Sequence, residues 1–285
     1  MQSYQGRRKA AQDRDHQTTE AERFVERFSA AWTTPAPATF SDLFAPTIRL
    51  IAPLLPVTNG IEQAEEGFAS LFSLLPDMRG QVIDWVATSD GVIIDHVFRG
   101  TLGRQQVQWR GMDRFVLADG CGVERVHYAD SRPVVNAAVR QPWLWPRLLR
   151  TGARPGAEMA PSRHLAAKNT ENRDIDSVPS VGSTYLIAEF AADGAVRADE
   201  KPRGLPASRL SAKHPHLEAT VLRSGIREES ILLEVILSDC QDASGFRWPA
   251  VHSLKRQGAN IVRSELYFDT LAQQVGMFKH RVARK

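Results

Sequence analysis

Two ionisable side chains stand in otherwise apolar strand faces and are the first candidates for chemistry. Alternation over residues 104–117 predicts a strand in which Asp113 shares one face with Val107, Trp109, Gly111, Phe115 and Leu117. In the strand predicted over 91–100, His96 shares a face with Val92, Ile94 and Phe98. Because burial disfavours a charged carboxylate, Asp113 must either meet a hydrogen-bond donor or have a raised pKa. A raised pKa would suit a general acid or a donor that stabilises an oxyanion.

Both residues also have a structural interpretation. Buried acids are often satisfied by backbone N–H groups or by arginine in structural networks. A single histidine on an apolar face is more often a core residue than a catalytic one, although proximity to Asp113 would favour function. We predict that Asp113 faces a cavity with a raised pKa and acts as the main acid, and that His96 lies beside it.

Aromatic side chains are expected to surround this pair, although each taken alone fills a core more often than it lines a cavity. The predicted pocket-lining residues are Trp32, Trp85, Trp109, Phe115, Tyr128 and His252. Neither the isolated Cys121 and Cys240 nor the His214-Pro-His216 segment has the spacing of a metal site. No glycine loop of the kind that cradles phosphate occurs. We therefore predict neither a metal nor a cofactor.

The chain carries an internal repeat. Adding 139 to the residue number carries Trp109 to Trp248, Tyr128 to Tyr267 and Asp130 to Asp269 without a gap. The same shift aligns two further predicted strands upstream, which makes chance an unlikely source and predicts a duplicated domain. In the second copy His252 takes the position of Asp113, whereas Val235 replaces His96. The helical part of that copy is shortened.

Composition shifts divide the chain into four parts. Residues 1–17 are polar and without periodicity, and predict a flexible tail. Residues 18–150 predict a first domain of helix, helix, strand, helix and four antiparallel strands, whose first helix begins at a capping box from Thr19 to Glu22. Residues 151–182 are rich in Gly, Pro, Ser and charge and predict a linker. Residues 183–278 hold the truncated second copy.

Overall composition excludes several classes of protein. The 285 residues are 42% hydrophobic and 24% charged, which is ordinary for a folded chain. The 36 Lys and Arg exceed the 33 Asp and Glu by only three, so no nucleic-acid partner is expected. No apolar stretch is long enough to span a membrane, and no secretory signal precedes the first helix. A cytoplasmic location is the expectation.

The segment Gln141–Arg150 is aromatic and basic. It holds Trp143 and Trp145 among arginines and prolines. Such a segment could suit a membrane surface or a polyanion, but we predict that it folds back on its own domain and buries both tryptophans.

Several motifs together resemble a known group of proteins. They are the capped first helix, Asp42-Leu-Phe-Ala-Pro46, the helix after Asn59-Gly60, Trp109-Arg-Gly-Met-Asp-Arg-Phe115 and Val123-Glu-Arg-Val-His-Tyr-Ala-Asp130. Residues 18–150 resemble the nuclear transport factor 2-like superfamily and, within it, the SnoaL-like proteins. Residues 183–278 resemble a divergent second member. The resemblance implies a cystatin-like α+β cone, that is, a curved, mostly antiparallel sheet wrapped by helices around an apolar cavity, here in tandem.

The resemblance implies several activities, because the superfamily includes polyketide cyclases, isomerases, epoxide hydrolases and non-catalytic binders. Asp113 matches the pocket aspartate of the cyclases and isomerases. The isomerases' second carboxylate is not matched, since no Asp or Glu occurs between Asp42 and Glu62. The arginine of the epoxide hydrolases is not matched either, since alternation points Arg110 away from Asp113.

Two functions remain open. The first is cyclase-type or isomerase-type acid–base chemistry by Asp113 and His96 on an apolar polyketide-like or terpenoid-like small molecule. The second is a non-catalytic module that binds an apolar ligand or a partner. In either case the two copies are expected to pair as a pseudo-dimer within the chain, or the chain forms a homodimer. A cavity that reaches both Asp113 and His96 would favour the enzyme.

Overall fold

The structure is a computed structural model that describes residues 2–53, 55–150, 179–190, 204–239, 247–271 and 273. Side chains are described from residue 15 onward, except those of residues 149 and 150. Most of the predicted linker 151–182 and the last residues of the predicted second domain lie outside the described residues, as does Cys240. The predicted domain boundaries therefore stay predictions.

The first half of the chain combines helices with one mixed sheet. Its elements are α1 (Gln2–Thr33), a 3-10 helix (Pro37–Phe40), β1 (Phe44–Ile51), β2 (Thr58–Asn59), α2 (Ile61–Leu74), β3 (Arg79–Thr88), β4 (Gly91–Leu102), β5 (Gln105–Ala118), β6 (Cys121–Ala129), α3 (Arg132–Val139), a second 3-10 helix (Pro142–Leu144) and α4 (Trp145–Arg150). The strand order is β2-β1-β6-β5-β4-β3, antiparallel except where β1 runs parallel to β6. The predicted elements occur in the predicted order, although the second helix is a 3-10 helix, and the structure adds β2, α3, the second 3-10 helix and α4.

Helix α1 buries an apolar stripe against the sheet. The stripe consists of Ala21, Phe24, Val25, Phe28, Ala31 and Trp32, which recur three and four residues apart as a helix face requires. The predicted start of this helix is wrong, because α1 begins at Gln2 and includes most of the predicted tail. Thr19 lies inside the helix, where its hydroxyl donates to the carbonyl of Asp15 and so caps nothing.

The second half forms a second sheet. Its elements are β7 (Thr184–Leu186), a 3-10 helix (Ile187–Phe190), β8 (Leu205–Pro206), α5 (Ala207–Ser211), β9 (Leu217–Arg227), β10 (Ser230–Asp239), β11 (Arg247–Gln257) and β12 (Asn260–Tyr267). The strand order is β7-β9-β10-β11-β12-β8. Together the two halves make a mixed α+β fold with two sheets, as predicted. Helix α5 has five residues, and residues 191–203 before β8 lie outside the described residues, so the expected shortening of the helical part stays a prediction.

The central four strands of the two sheets coincide at the offset of 139 residues. Ile94 pairs with Asp113 in the first sheet, and Leu233 pairs with His252 in the second. Even the irregularities coincide, since the pairing skips Ile83 and Val123 in the first sheet and skips Leu222 and Val262 in the second. The edges differ, because β1 joins β6 whereas β7 joins β9. The two copies therefore share the positions of these bulges as well as the order of their central strands.

The two sheets pack against each other through the faces opposite their helices. The apolar part of this contact is formed by Ile51, Val86, Ile93, Met112, Val126, Tyr128, Leu232, Val251 and Tyr267. Hydrogen bonds across it are reciprocal. The hydroxyl of Ser131 donates to Asp269, and the hydroxyl of Thr270, which is the equivalent of Ser131, donates to Asp130, the equivalent of Asp269. Two-fold symmetric interfaces have this reciprocity.

Buried ion pairs complete the contact between the sheets. Glu234 accepts from Arg114 at 3.1 Å, from Arg223 at 2.6 Å and from the hydroxyl of Tyr128. Burial alone would raise the pKa of Glu234, but the two guanidinium groups outweigh burial and lower it. Its repeat equivalent Asp95 pairs with Arg110. A buried charge held by several donors fixes the geometry of an interface.

The segment after β6 contradicts one prediction. Trp143 is 59% exposed and Trp145 49% exposed, whereas Leu144 is buried. The segment does fold back on its own domain, because Gln141 is buried and its amide donates to the carbonyls of Leu102 and Ala137. The prediction that both tryptophans are buried is therefore wrong: Leu144 supplies the anchor, and the rings on either side of it point outward.

No helix among the described residues is long and apolar enough to cross a membrane.

Candidate functional site

A cavity of about 430 Å³ lies between helix α2 and the sheet of the first domain. Its wall is largely apolar and includes Trp32, Leu50, Phe68, Leu71, Phe98 and Trp109. Pro56, Val57, Gln63 and Glu66 also line it and are exposed, so it opens to solvent on that side. A volume of this order holds a small organic molecule.

Asp113 lies beneath the cavity floor at the centre of a polar cluster. It is fully buried, and it is not one of the cavity-lining residues. Arg125 binds both of its carboxylate oxygens, with Nε to Oδ1 and Nη2 to Oδ2 each at 2.8 Å. Nδ1 of His127 lies 2.9 Å from Oδ1. Both partners come from β6, the strand beside Asp113, where His127 pairs directly opposite it.

The predicted raised pKa of Asp113 is wrong. Burial acts in the predicted direction and is the largest single influence, but the charge of Arg125, together with His96 and His127, outweighs it and holds the pKa of Asp113 far below its usual range. Asp113 is therefore an ionised acceptor at neutral pH and has no proton to donate. The sequence did not place Arg125 beside it.

His96 is also buried and does not line the cavity. Its Nε2 lies 3.6 Å from Oδ2 of Asp113, which is beyond hydrogen-bond distance, and its Nδ1 lies 3.3 Å from the carbonyl of Ile94. Burial lowers the pKa of His96 to about 3, so the ring is neutral at neutral pH. The structure thus brings Asp113 and His96 together as predicted, but it gives neither of them contact with the cavity.

Arg125 and His127 are the groups that connect this cluster to the cavity, because both line it. The ionised Asp113 accepts at Oδ1, so Nδ1 of His127 is the nitrogen that donates to it, and Nε2 is the nitrogen that can accept a proton from the cavity. Among the described residues, neither this Nε2 nor Nη1 of Arg125 has a hydrogen-bond partner, and neither is a fully buried orphan. One potential base and one cationic hydrogen-bond donor therefore lie side by side on the cavity wall.

A glycine gives the histidine its room. A Cβ built on Gly111 would lie 2.6 Å from Cε1 of His127. Gly111 precedes Asp113 by two residues on the same face of β5. Any side chain at this position would press the ring away from the carboxylate that holds it.

Three residues of the cluster have the chemistry of metal ligands. The candidate ligand atoms of His96, Asp113 and His127 lie within 4.8 Å of one another, and no other such group occurs in the part of the chain that the structure describes. However, Arg125 already donates to both oxygens of Asp113. Its positive charge opposes a cation at the same place. The cluster fits an ion-pair network better than a metal centre.

The predicted pocket-lining residues divide into two groups. Trp32 and Trp109 line the cavity. Trp85 and Phe115 lie in the core of the first domain and are not among the lining residues. Tyr128 faces the second sheet, where its hydroxyl donates to Glu234, so its predicted place in the pocket is wrong.

His252 is the counterpart of Asp113 but has no access to the cavity. It is fully buried; its Nδ1 lies 2.7 Å from the hydroxyl of Tyr185 and its Nε2 lies 2.7 Å from that of Ser264. With both ring nitrogens occupied and burial lowering its pKa to about 3, His252 is a core residue. The prediction that it lines a pocket is wrong, since the ring is fully buried and both of its nitrogens lie against neighbouring hydroxyls.

Sequence reasoning missed Arg125 and His127, although their segment was part of the family resemblance. The turn after β5 pairs Ala118 with Cys121. Continued without interruption, that register would set Val126 opposite Asp113 and Tyr128 on the cavity face. The bulge at Val123 moves the register by one residue, so His127 lies opposite Asp113 instead. Strand alternation alone carries no signal for a bulge.

The comparisons with known proteins concern the first domain. Residues 25–124 match the SnoaL-like domain family. These residues include the buried stripe of helix α1 from Val25 onward, Asp113 and the first four residues of β6. The match to the SnoaL-like domain family thus lies within the first half of the chain. No curated protein matches the chain.

Several solved structures align with part of the chain. A candidate SnoaL-like polyketide cyclase from Jannaschia sp. is 22% identical, with a TM-score of 0.39 over 42% of this chain and 92% of that one. A protein with a ketosteroid isomerase-like fold from Catenulispora acidiphila is 17% identical, with a TM-score of 0.38 over 41% and 92%. An LEH-like epoxide hydrolase from Mycobacterium tuberculosis is 17% identical, with a TM-score of 0.38 over 45% and 96%.

Proposed function

We propose that the first domain is an acid–base enzyme that removes a proton next to a carbonyl group of an apolar small molecule, in the manner of a cyclase or isomerase. The observation that carries this proposal is the pair formed by His127 and Arg125 on the wall of an apolar cavity. The sequence favoured the same class of reaction but gave the main role to Asp113. The residue roles are therefore revised.

In the proposed mechanism His127 is the general base. Its Nε2 takes the proton from the carbon next to the carbonyl, and the resulting positive charge on the ring is stabilised by the ionised Asp113 at Nδ1, 2.9 Å away. Arg125 donates from Nη1 to the oxygen on which the enolate charge develops. Asp113 is a positioning residue, because it fixes the tautomer of His127 and the plane of Arg125 without touching the substrate.

The cavity supports a substrate class. A largely apolar wall with Trp32, Phe68, Phe98 and Trp109 favours a ring system, such as a polyketide-like or terpenoid-like molecule. The polar groups on the floor favour a carbonyl oxygen at one end of it. A volume of about 430 Å³ limits the substrate to a few fused rings.

Proton exchange of a simple ketone tests the reaction. Indanone in deuterated water exchanges the hydrogens next to its carbonyl, and NMR follows the rate. The full chain should accelerate this exchange, and His127→Gln should lower the acceleration by about a hundredfold, a typical value for loss of a general base. His214→Gln is the matched control, because His214 pairs with Asp239 in the second domain. An unaccelerated rate while indanone signals shift on binding would contradict catalysis.

A second candidate function is binding without catalysis. It is favoured by the full burial of Asp113 and His96, neither of which lines the cavity, and by the ion pairing of Asp113, which is typical of a structural network. The indanone experiment separates the two candidates, since a binding module would bind the ketone and leave its exchange rate unchanged, in the wild type as in His127→Gln.

We further propose that residues 183–278 are a second domain that takes the place of a homodimer partner. The reciprocal hydrogen bonds of Ser131 and Thr270 support this arrangement. So does the fully buried Glu234, which is held by Arg114 from the first domain and Arg223 from its own. In this proposal the second domain supplies structure rather than a second site, because its His252 is enclosed.

A further inference from the structure

The segment that follows β6 carries an exposed apolar and basic surface. It consists of Val139, Arg140, Trp143, Trp145 and Arg147, and is named here the Trp–Arg patch. Val139 is 60% exposed, Trp143 59% and Trp145 49%. Arg140 and Arg147 are exposed too, and no described residue forms a salt bridge with either of them.

The two tryptophans are exposed although the segment that carries them is anchored to the domain. Gln141 is buried and accepts from the backbone N–H of Arg104, while its amide donates to Leu102. Leu144, between the two tryptophans, is buried in the first core. The indole N–H of Trp145 donates to the carbonyl of Ala138 at 3.0 Å. The fold thus keeps both rings exposed to water on a well-anchored segment. Exposing these apolar rings costs free energy, which contact with a binding partner would offset.

The charge of the segment indicates what covers the patch. Residues 131–150 contain four arginines, Arg132, Arg140, Arg147 and Arg150, and no acidic residue. Arg132 is paired with Asp130, whereas Arg140 and Arg147 of the patch have no acidic partner among the residues that the structure describes. Tryptophan prefers the interface between water and lipid, and arginine binds anionic headgroups there. A protein partner would need acidic and apolar groups in matching positions, whereas an anionic bilayer offers both everywhere.

We propose that the Trp–Arg patch docks the protein reversibly on an anionic lipid surface, with Trp143 and Trp145 inserted at the headgroup level. The inner side of the same segment lines the cavity through Val134 and Leu148. Docking would therefore set one wall of the cavity close to the membrane, where apolar molecules dissolve. The proposal goes beyond the proposed reaction and does not depend on it, because a binding module would use the patch in the same way.

Vesicle flotation tests the proposal with the full chain. Vesicles of equal parts phosphatidylcholine and phosphatidylglycerol should carry the protein upward at low salt, and vesicles of phosphatidylcholine alone should carry about tenfold less. High salt should release the protein, because the headgroup attraction is screened. The double variant Trp143→Ser, Trp145→Ser should reduce flotation about tenfold, and Arg140→Gln with Arg147→Gln should do likewise. Circular dichroism checks that each variant is folded.

The matched control is the double variant Val262→Ser, Arg209→Gln. Val262 is 39% exposed and Arg209 is exposed, and both lie in the second half of the chain. This variant should float like the wild type. Brominated phosphatidylcholine in the anionic vesicles should quench the fluorescence of the wild type but not that of the double tryptophan variant.

Three outcomes would overturn the proposal. The first is no flotation of the folded wild type on anionic vesicles at low salt. The second is flotation that the tryptophan substitutions leave unchanged. The third is a dimer, measured by light scattering, that dissociates in the double tryptophan variant, since the patch would then be a contact between copies. Indanone exchange is measured without vesicles, so either proposal can fail alone.

Discussion

At the residue scale, the decisive feature is that Arg125 and His127 line the cavity, whereas Asp113 holds them in place from below. A carboxylate in an apolar row has two physical outcomes, loss of its charge or pairing with a cation. Arg125 supplies the cation, so Asp113 keeps its charge and orients the groups that meet the cavity. At the equivalent position of the second sheet, His252 is neutral. Its burial is compensated by hydrogen bonds to two hydroxyl groups rather than by an ion pair.

The two buried histidines predict a pH dependence of stability. The pKa values of His96 and His252 are each lowered from 6.5 to about 3, with burial as the main cause. Between pH 6.5 and about pH 3, both histidines bind a proton in the unfolded chain but stay unprotonated in the folded chain. The free energy of unfolding should therefore fall as the pH drops below about 6.5, by roughly 1.4 kcal/mol per pH unit for each histidine.

Urea unfolding at a series of pH values measures this slope. His252→Gln keeps an amide that can bond to Tyr185 and Ser264, and it should remove about half of the histidine contribution to the slope. His214→Gln is the comparison variant, because it removes a histidine that is partly exposed rather than buried. Equal free energies of unfolding for the wild type at neutral and mildly acidic pH would contradict the neutral, buried state of both histidines.

At the element scale, bulges and close strand contacts fix the arrangement. The bulge at Val123 decides which residues of β6 face the cavity. Its counterpart in the second sheet lies at Val262. Strands β3 and β9, which are equivalent in the two copies, meet near the centre of the contact between the sheets. There Gly225 leaves so little room that a Cβ would lie 2.3 Å from the carbonyl oxygen of Ala87.

Gly225→Ala should therefore separate the two sheets locally. A backbone carbonyl cannot move aside as a flexible side chain can, so we expect a loss of about 1–3 kcal/mol in the free energy of unfolding, as for other overpacked positions. Gly67→Ala is the control, because the nearest atom to its Cβ is 3.9 Å away and alanine favours a helix. A Gly225→Ala protein as stable as the wild type would show that β3 and β9 do not approach this closely.

At the scale of the whole molecule, the two sheets cover each other's outer faces. The contact contains an apolar cluster, the reciprocal bonds of Ser131 and Thr270, and the buried Glu234 with its two arginines. A first domain alone would expose this face, including Met112 and Tyr128. The second sheet covers it within one chain, so we expect that no further copy is needed to bury it.

The full chain should therefore be a monomer of 31.7 kDa in solution. Size-exclusion chromatography with light scattering, over a wide range of protein concentrations, measures this mass. Glu234→Ala leaves Arg114 and Arg223 without their shared carboxylate, and it should lower the free energy of unfolding by about 3–5 kcal/mol. Arg49→Gln, which opens a half-exposed pair with Glu124, should cost less than about 1 kcal/mol. A stable dimer of the wild type would contradict the proposed internal pairing.

The sequence by itself determined the α+β class, the order of the elements, the offset of 139 residues between the copies and the side of β5 on which Asp113 lies. The offset follows from residues repeated at a fixed spacing. The other properties follow from local periodicity, because a helix repeats its face every three to four residues and a strand every two. The resemblance added the SnoaL-like family. The orientation of Arg110 away from Asp113 was likewise readable from alternation.

Only the tertiary structure decided which groups meet the cavity. A single bulge at Val123 turns Arg125 and His127 toward Asp113. The alternation of residue types along the strand does not indicate this bulge. The pKa of Asp113 then followed from a cation on the neighbouring strand, and the exposure of Trp143 and Trp145 followed from the choice of Leu144 as the anchor. Contacts between strands set these properties, and a shift of the strand register by one residue changes every such contact.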